Sequence, residues 1–243
     1  MISRYFFASL FKVINPKANF LTNDIETIRM IDLNTLYNRL YRHYGRQYWW
    51  PADSDLEMMI GAVLVQNTAW GNAHKALRNF ADFDGERLLR LDLLTLTAKI
   101  KPAGSYTRKA QTVLALLRWF NDYGFAKAAL ANKDTAALRH ELLAIHGIGE
   151  ETCDCILLYA FNRPVFVVDT YLKRLLRKAG HPDMRRYAEI QRYMMDRLPH
   201  EVSLFQEYHA LIVAYGKTHL KRTALPLPDP IFAETKTTPV SLG

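Results

Sequence analysis

A chain of 243 residues with 49% hydrophobic content can bury a substantial core, as one large domain or two small ones. The formal charge of +8 and the pI near 9.4 point to a polyanionic partner. Cys153 and Cys155 lie two apart on a predicted helix and point to different faces, which disfavours a mutual disulfide, and no HExxH pair is present to build a catalytic metal site.

Residues 1–23 hold an apolar stretch broken by Arg4 and Lys12, too short and too charged for a membrane span and followed by no small-residue cleavage site. Residues 1–29 therefore read as an N-terminal extension that docks or frays, with no membrane partner. Thr35 to Tyr44 spaces Leu36, Tyr37, Leu40 and Tyr41 on one helical face, with Gly45 as its stop. Trp49-Trp50-Pro51 then holds two large aromatics on an extended turn. Leu56 to Gln66 is apolar nearly all round and predicts a central buried helix. It ends in Gln66-Asn67-Thr68-Ala69-Trp70, where polar amides and a tryptophan are placed to face a cleft. Short helices are expected over Ala73–Phe83, Leu88–Leu96, Thr107–Tyr123 and Ala126–Ala131, separated by Asp84-Gly85, Pro102-Ala103-Gly104 and Gly124.

The stretch from Ala137 to Gly180 carries the strongest pattern. Leu138, Leu142, Leu143 and Ile145 give one buried helical face, Gly147-Ile148-Gly149 stops it, and a second helix follows from Glu150 to Asn162. The glycines permit a tight turn in which Ile148 plugs inward while backbone N–H groups face outward, at a helix N-terminus suited to an anion. Arg163 to Val168 reads as a buried extended connector, and Asp169 as the N-cap of an amphipathic helix carrying Leu172, Leu175 and Leu176, with Gly180 as its C-cap. Met184–Arg197 and Phe205–Tyr215 predict the last helices, Gly216 closing the second. Beyond Thr223 the proline-rich tail, residues 223–243, is expected to be disordered or laid on the surface.

The run LLAIHGIGEETCDCILLYAFNRPVFVVDTYLKRLL resembles the helix-hairpin-helix, connector and aspartate signature of the endonuclease III superfamily of DNA glycosylases (HhH-GPD). YWWP, GAVLVQNTAW and IKPAGSYTRKA are most similar to its bacterial 3-methyladenine DNA glycosylase III branch. The resemblance covers roughly residues 30–222, so Met30 is an alternative start. It implies an all-α fold of two helical domains with the catalytic cleft between them. Residues 30–50 with 167–222 would form one domain, and residues 51–166, including the hairpin at 137–162, the other.

It also implies a function: hydrolysis of the N-glycosidic bond of a damaged base, most readily an alkylated purine, flipped out of double-stranded DNA during base excision repair. The protein would act as a monomer in a reduced bacterial cytosol. Asp169 would be the catalytic carboxylate, kept ionised by the helix N-terminus behind it so as to stabilise the positive sugar of the transition state; the plain alternative is an N-cap alone. Gly147, Ile148 and Gly149 would hold a DNA phosphate through backbone N–H groups, against an ordinary helix–helix turn. Gln66 and Asn67 would fill the gap left by the extruded base, against simple helix capping. Trp49, Trp50 and Trp70, with Pro51, would form an aromatic slot around that base, against a role in the core.

Bifunctional relatives carry a strand-cleaving lysine where this chain has Glu151, and a carboxylate cannot form a Schiff base, so the resemblance implies a monofunctional enzyme. Lys173, the nearest other amine along the chain, is expected on a solvent-rich helix face. Two cysteines cannot supply the four thiolates of the iron–sulfur cluster found in many relatives. No metal is expected beyond a monovalent cation on the hairpin carbonyls; His140 and His181 read as surface or capping residues. The alternatives are a bifunctional endonuclease III-like glycosylase/lyase and a non-catalytic hairpin protein that only binds DNA.

Overall fold

The computed structural model describes residues 30–221 and 228–233, all helix, turn or irregular chain with no strand among them. The expectations for residues 1–29 and for most of the tail fall outside the described residues.

Helix α1 (Leu33–Tyr44) is capped by Asp32, whose side chain accepts the Thr35 N–H at 3.0 Å, and it buries Leu33, Leu36 and Leu40. Helix α2 (Asp55–Leu64), capped by Ser54, is the central helix: every residue from Met58 to Leu64 is buried. Helix α3 (Trp70–Leu77) follows. The single helix expected over Leu88–Leu96 is instead two, α4 (Gly85–Leu89) and α5 (Leu93–Ile100). Asp92 breaks the run because its carboxylate accepts the Thr95 N–H at 2.7 Å and starts a new helix. After α6 (Tyr106–Asn121) and a short 3₁₀ turn at Lys127–Leu130 come the hairpin helices, α7 (Thr135–Ala144) and α8 (Glu150–Cys155), the latter running on as a π-turn over Ile156–Ala160.

The chain then crosses through the buried, extended Val165–Val168 into α9 (Thr170–Lys178), α10 (Tyr187–Met195) and α11 (Val202–His219). The expected all-α architecture of two helical lobes is observed. Helix α2 packs against α3, α6 and the π-turn, while α11 packs against α1 and α9. The π-turn touches both α2 and α11 and so links the lobes at the level of Tyr159.

Gly216 does not end α11 but lies inside it. A Cβ there would fall 2.2 Å from the ring of Tyr171, so the glycine exists to let α9 approach. His181 is buried rather than on the surface, its Nδ1 2.8 Å from the Tyr193 hydroxyl. Part of the tail is docked: in Pro228–Ala233, Ile231 is 1% exposed, its carbonyl accepts from Arg39, and Asp229 accepts from the Tyr215 hydroxyl at 2.7 Å and pairs with Lys178. One apolar anchor and one paired carboxylate hold this segment against the fold, the second of the two alternatives that composition left open.

Candidate functional site

The two lobes enclose a cleft of about 630 Å³ into which Trp49, Trp50, Trp70, Glu151, Asp169 and His209 all open. The tryptophans arrive from different segments: Trp49 and Trp50 on the turn between α1 and α2, and Trp70 at the first position of α3. Gly61 of α2 admits the Trp50 indole, whose Nε1 would lie 3.4 Å from a Cβ there. Ring centroids are 5.2 Å apart for Trp49–Trp50, 4.7 Å for Trp49–Trp70 and 5.4 Å for Trp50–Trp70. A base held between two rings needs two stacking gaps, roughly 7 Å in all. The three indoles thus touch one another and form a wall, not the expected open slot. Pro51 is exposed and does not line the cleft.

Asp169 caps α9 as the sequence predicted, accepting the Leu172 N–H at 2.7 Å. Its ionisation differs from expectation. Burial is the largest influence and lifts its pKa to about 7; the Leu172 N–H opposes the rise, and the neighbouring Glu151 charge adds to it. The helix N-terminus therefore moderates a desolvated carboxylate without keeping it fully charged at neutral pH. Glu151 is open to solvent yet walled by protein, and its pKa is raised by that desolvation, with Lys173 pulling the other way. Lys173 itself lies outside the cleft, beside Leu176, Arg177 and Pro182.

At the hairpin, Gly147 adopts φ +91°, and a Cβ on it would fall 2.0 Å from Thr112 Oγ1 of α6, so both conformation and space require glycine. Ile148 is buried, as the plug requires, and its N–H is spent on the Ile145 carbonyl at 3.0 Å. Gly147 and Gly149 lie exposed. Glu150, an acid in the first turn after the hairpin, pairs with Arg139 at 3.6 Å.

Gln66 is not free at the cleft mouth: its amide donates to the Gly147 carbonyl at 3.0 Å and to Thr152 Oγ1 at 2.8 Å. It ties the loop after α2 to the hairpin. Asn67 is exposed, with φ +50°, and lines the cleft. Lys109 supports this loop from beneath, buried and donating to the Leu64 and Ala103 carbonyls, both at 2.8 Å.

Sequence reading missed the opposite wall. His209, Val213 and Lys217 fall at i, i+4 and i+8 on α11 and line the cleft together. The Lys217 ammonium sits 5.3 Å from the centre of the Trp49 ring, and burial lowers its pKa, helped by Lys221. Cys155 also reaches the cleft; its thiol and that of Cys153 are free and buried, and burial raises both pKa values. No described helix is long and apolar enough to cross a membrane.

Residues 60–200 match the HhH-GPD superfamily of base excision DNA repair proteins. A Methanocaldococcus jannaschii protein named as a DNA repair glycosylase is 39% identical over 196 residues, covering 78% of this chain and 89% of that protein. The crystal structure of H. pylori 3-methyladenine DNA glycosylase, bound to 1,N6-ethenoadenine, superposes with a TM-score of 0.65 at 25% identity, covering 76% of this chain and 94% of that one. A trapped endonuclease III–DNA covalent intermediate shares the fold, with a TM-score of 0.67 at 18% identity over 79% of this chain and 88% of that one.

Proposed function

Because this chain belongs to the HhH-GPD superfamily of base excision DNA repair proteins and is a DNA glycosylase, we propose that it is monofunctional and releases an alkylated purine from double-stranded DNA by hydrolysis. The observation that carries this reading is a carboxyl, Asp169, opening into a cleft with a tryptophan wall, beside a second carboxyl, Glu151, where a lyase would need an amine. The base leaves with the C1′–N bonding pair, and the sugar becomes oxocarbenium-like. Ionised Asp169 stabilises that charge, and it takes a proton from the water whose oxygen bonds to C1′. A cationic methylpurine is already a good leaving group, which suits a cleft where Asp169 and Glu151, both raised, are the carboxyls among the described residues that line it.

The exposed hairpin glycines would hold a backbone phosphate, and Asn67 with Gln66 would stand at the vacated base position. For Gln66 this means giving up its bonds to the hairpin when DNA binds. A monovalent cation on the hairpin carbonyls would have to share the Gly147 oxygen with the Gln66 amide. A second reading is favoured by one observation: Lys217 places an amine in the cleft, which would supply lyase chemistry in place of the missing hairpin lysine. Duplexes that each carry one lesion test the proposal. Release of methylated purines ahead of oxidised pyrimidines supports it, and the reverse order rejects it.

A further inference from the structure

We infer that His209 offers a bare imidazole nitrogen, Nε2, to the cleft and there accepts a hydrogen bond from the extruded base, so that the site selects bases with an exocyclic amino group. This rests on the glycosylase reading for the identity of the ligand, but the geometry stands apart from it.

Tyr159, on the π-turn, and His209, on α11, are both buried, at 9% and 5% exposure. The Tyr159 hydroxyl lies 3.0 Å from the Gln206 carbonyl oxygen and 2.8 Å from His209 Nδ1. The hydroxyl has one proton to place. Two oxygens 3.0 Å apart need a hydrogen between them, so the hydroxyl donates to Gln206 and must accept from His209. Nδ1 therefore carries the imidazole proton. Burial holds the ring neutral, its pKa lowered to about 4, so there is no second proton, and Nε2 presents a lone pair.

No described residue bonds to Nε2, and His209 lines the cleft. The ring also continues the aromatic wall: Trp50 and Tyr159 are 5.5 Å apart and Tyr159 and His209 5.8 Å. A flat base lying on the tryptophans meets this acceptor at its edge, with apolar Val213 one turn further along α11. An imidazole with no proton on that side cannot protonate a leaving group, which makes His209 a recognition residue and not an acid.

The test uses the full chain with ¹⁵N-labelled histidine and long-range ¹H–¹⁵N correlations, the His209 signal being assigned by its loss in His209→Gln. Nδ1 should be protonated and Nε2 bare, unchanged between about pH 5 and 8. Adenine methylated at N9 should shift Nε2, whereas purine methylated at N9, which has no N–H donor left, should not. An Nε2–H tautomer overturns the inference. So does an equal response to both bases, the outcome expected if Nε2 merely holds water, or no response to either. In the enzyme assay, His209→Ala should lower release of amino-bearing lesions by about tenfold or more and leave lesions without the group little changed. Should the wild-type chain release no base from any duplex, the glycosylase reading fails, while the tautomer and adenine results still decide the role of His209.

Discussion

Glu151 and Asp169 share one cleft, and the charge of the first adds to burial in raising the second to about 7. Asp169 must be ionised to stabilise a positive sugar, so kcat/KM should climb as pH rises through about 7 and level off above it. Glu151→Gln removes one raising influence and should move the inflection to lower pH. An unchanged inflection in that variant would show that the two carboxyls do not act on one another.

The same shift makes Asp169 costly to the fold. Its folded pKa of about 7 lies above the ordinary aspartate value of 3.8, so the native state binds more protons than the unfolded chain between these values. The stabilisation from this group is complete below about pH 4 and is lost as pH rises through 7. Asp169→Asn keeps an oxygen to cap Leu172 and removes the charge, so at pH 8 it should gain stability, on the order of 4 kcal/mol at most, while base release falls by orders of magnitude. Denaturant melts at pH 5 and pH 8 check this, the gain being clearly larger at the higher pH and vanishing only below about pH 4.

Lys217 covers one face of Trp49 with a positive charge. A cationic base approaching the tryptophan wall feels that charge as repulsion. Lys217→Met should therefore raise release of cationic methylpurines relative to neutral lesions, by roughly threefold to tenfold. A parallel fall for both classes would instead make Lys217 a contact to DNA phosphate.

The docked tail segment should matter to stability. Ile231 is 1% exposed and belongs to the apolar core, and Ile231→Ala should cost about 2–5 kcal/mol in thermal or denaturant unfolding. A loss below about 0.5 kcal/mol, the range of ordinary surface substitutions, would mean the segment is not held in solution.

The hairpin and the Asp169 cap were legible in the sequence because their signals are local: glycines flanking one apolar residue, and an acid directly before an amphipathic run. Gly216 was misread for the same reason. As a local signal it is a stop, and its real cause is the ring of Tyr171, far away in the chain. His209 and Lys217 gave no signal beyond helical spacing, since only the return of α11 beside α1 and α9 sets that stripe opposite the tryptophans. The slot became a wall because the mutual distance of three indoles from two segments depends on packing around Gly61, which no spacing encodes. Asp169's ionisation was misjudged because burial, a property of the whole fold, outweighs the N-cap bond that the sequence displays.

The central claim is hydrolysis without strand cleavage, and borohydride trapping on a duplex with one methylated purine tests it most directly. Borohydride converts a Schiff base between an amine and C1′ into a permanent protein–DNA bond. The wild-type chain should release the base, leave the abasic strand whole and give no trapped complex. Efficient trapping that disappears in Lys217→Arg would contradict the account and assign a lyase amine to α11.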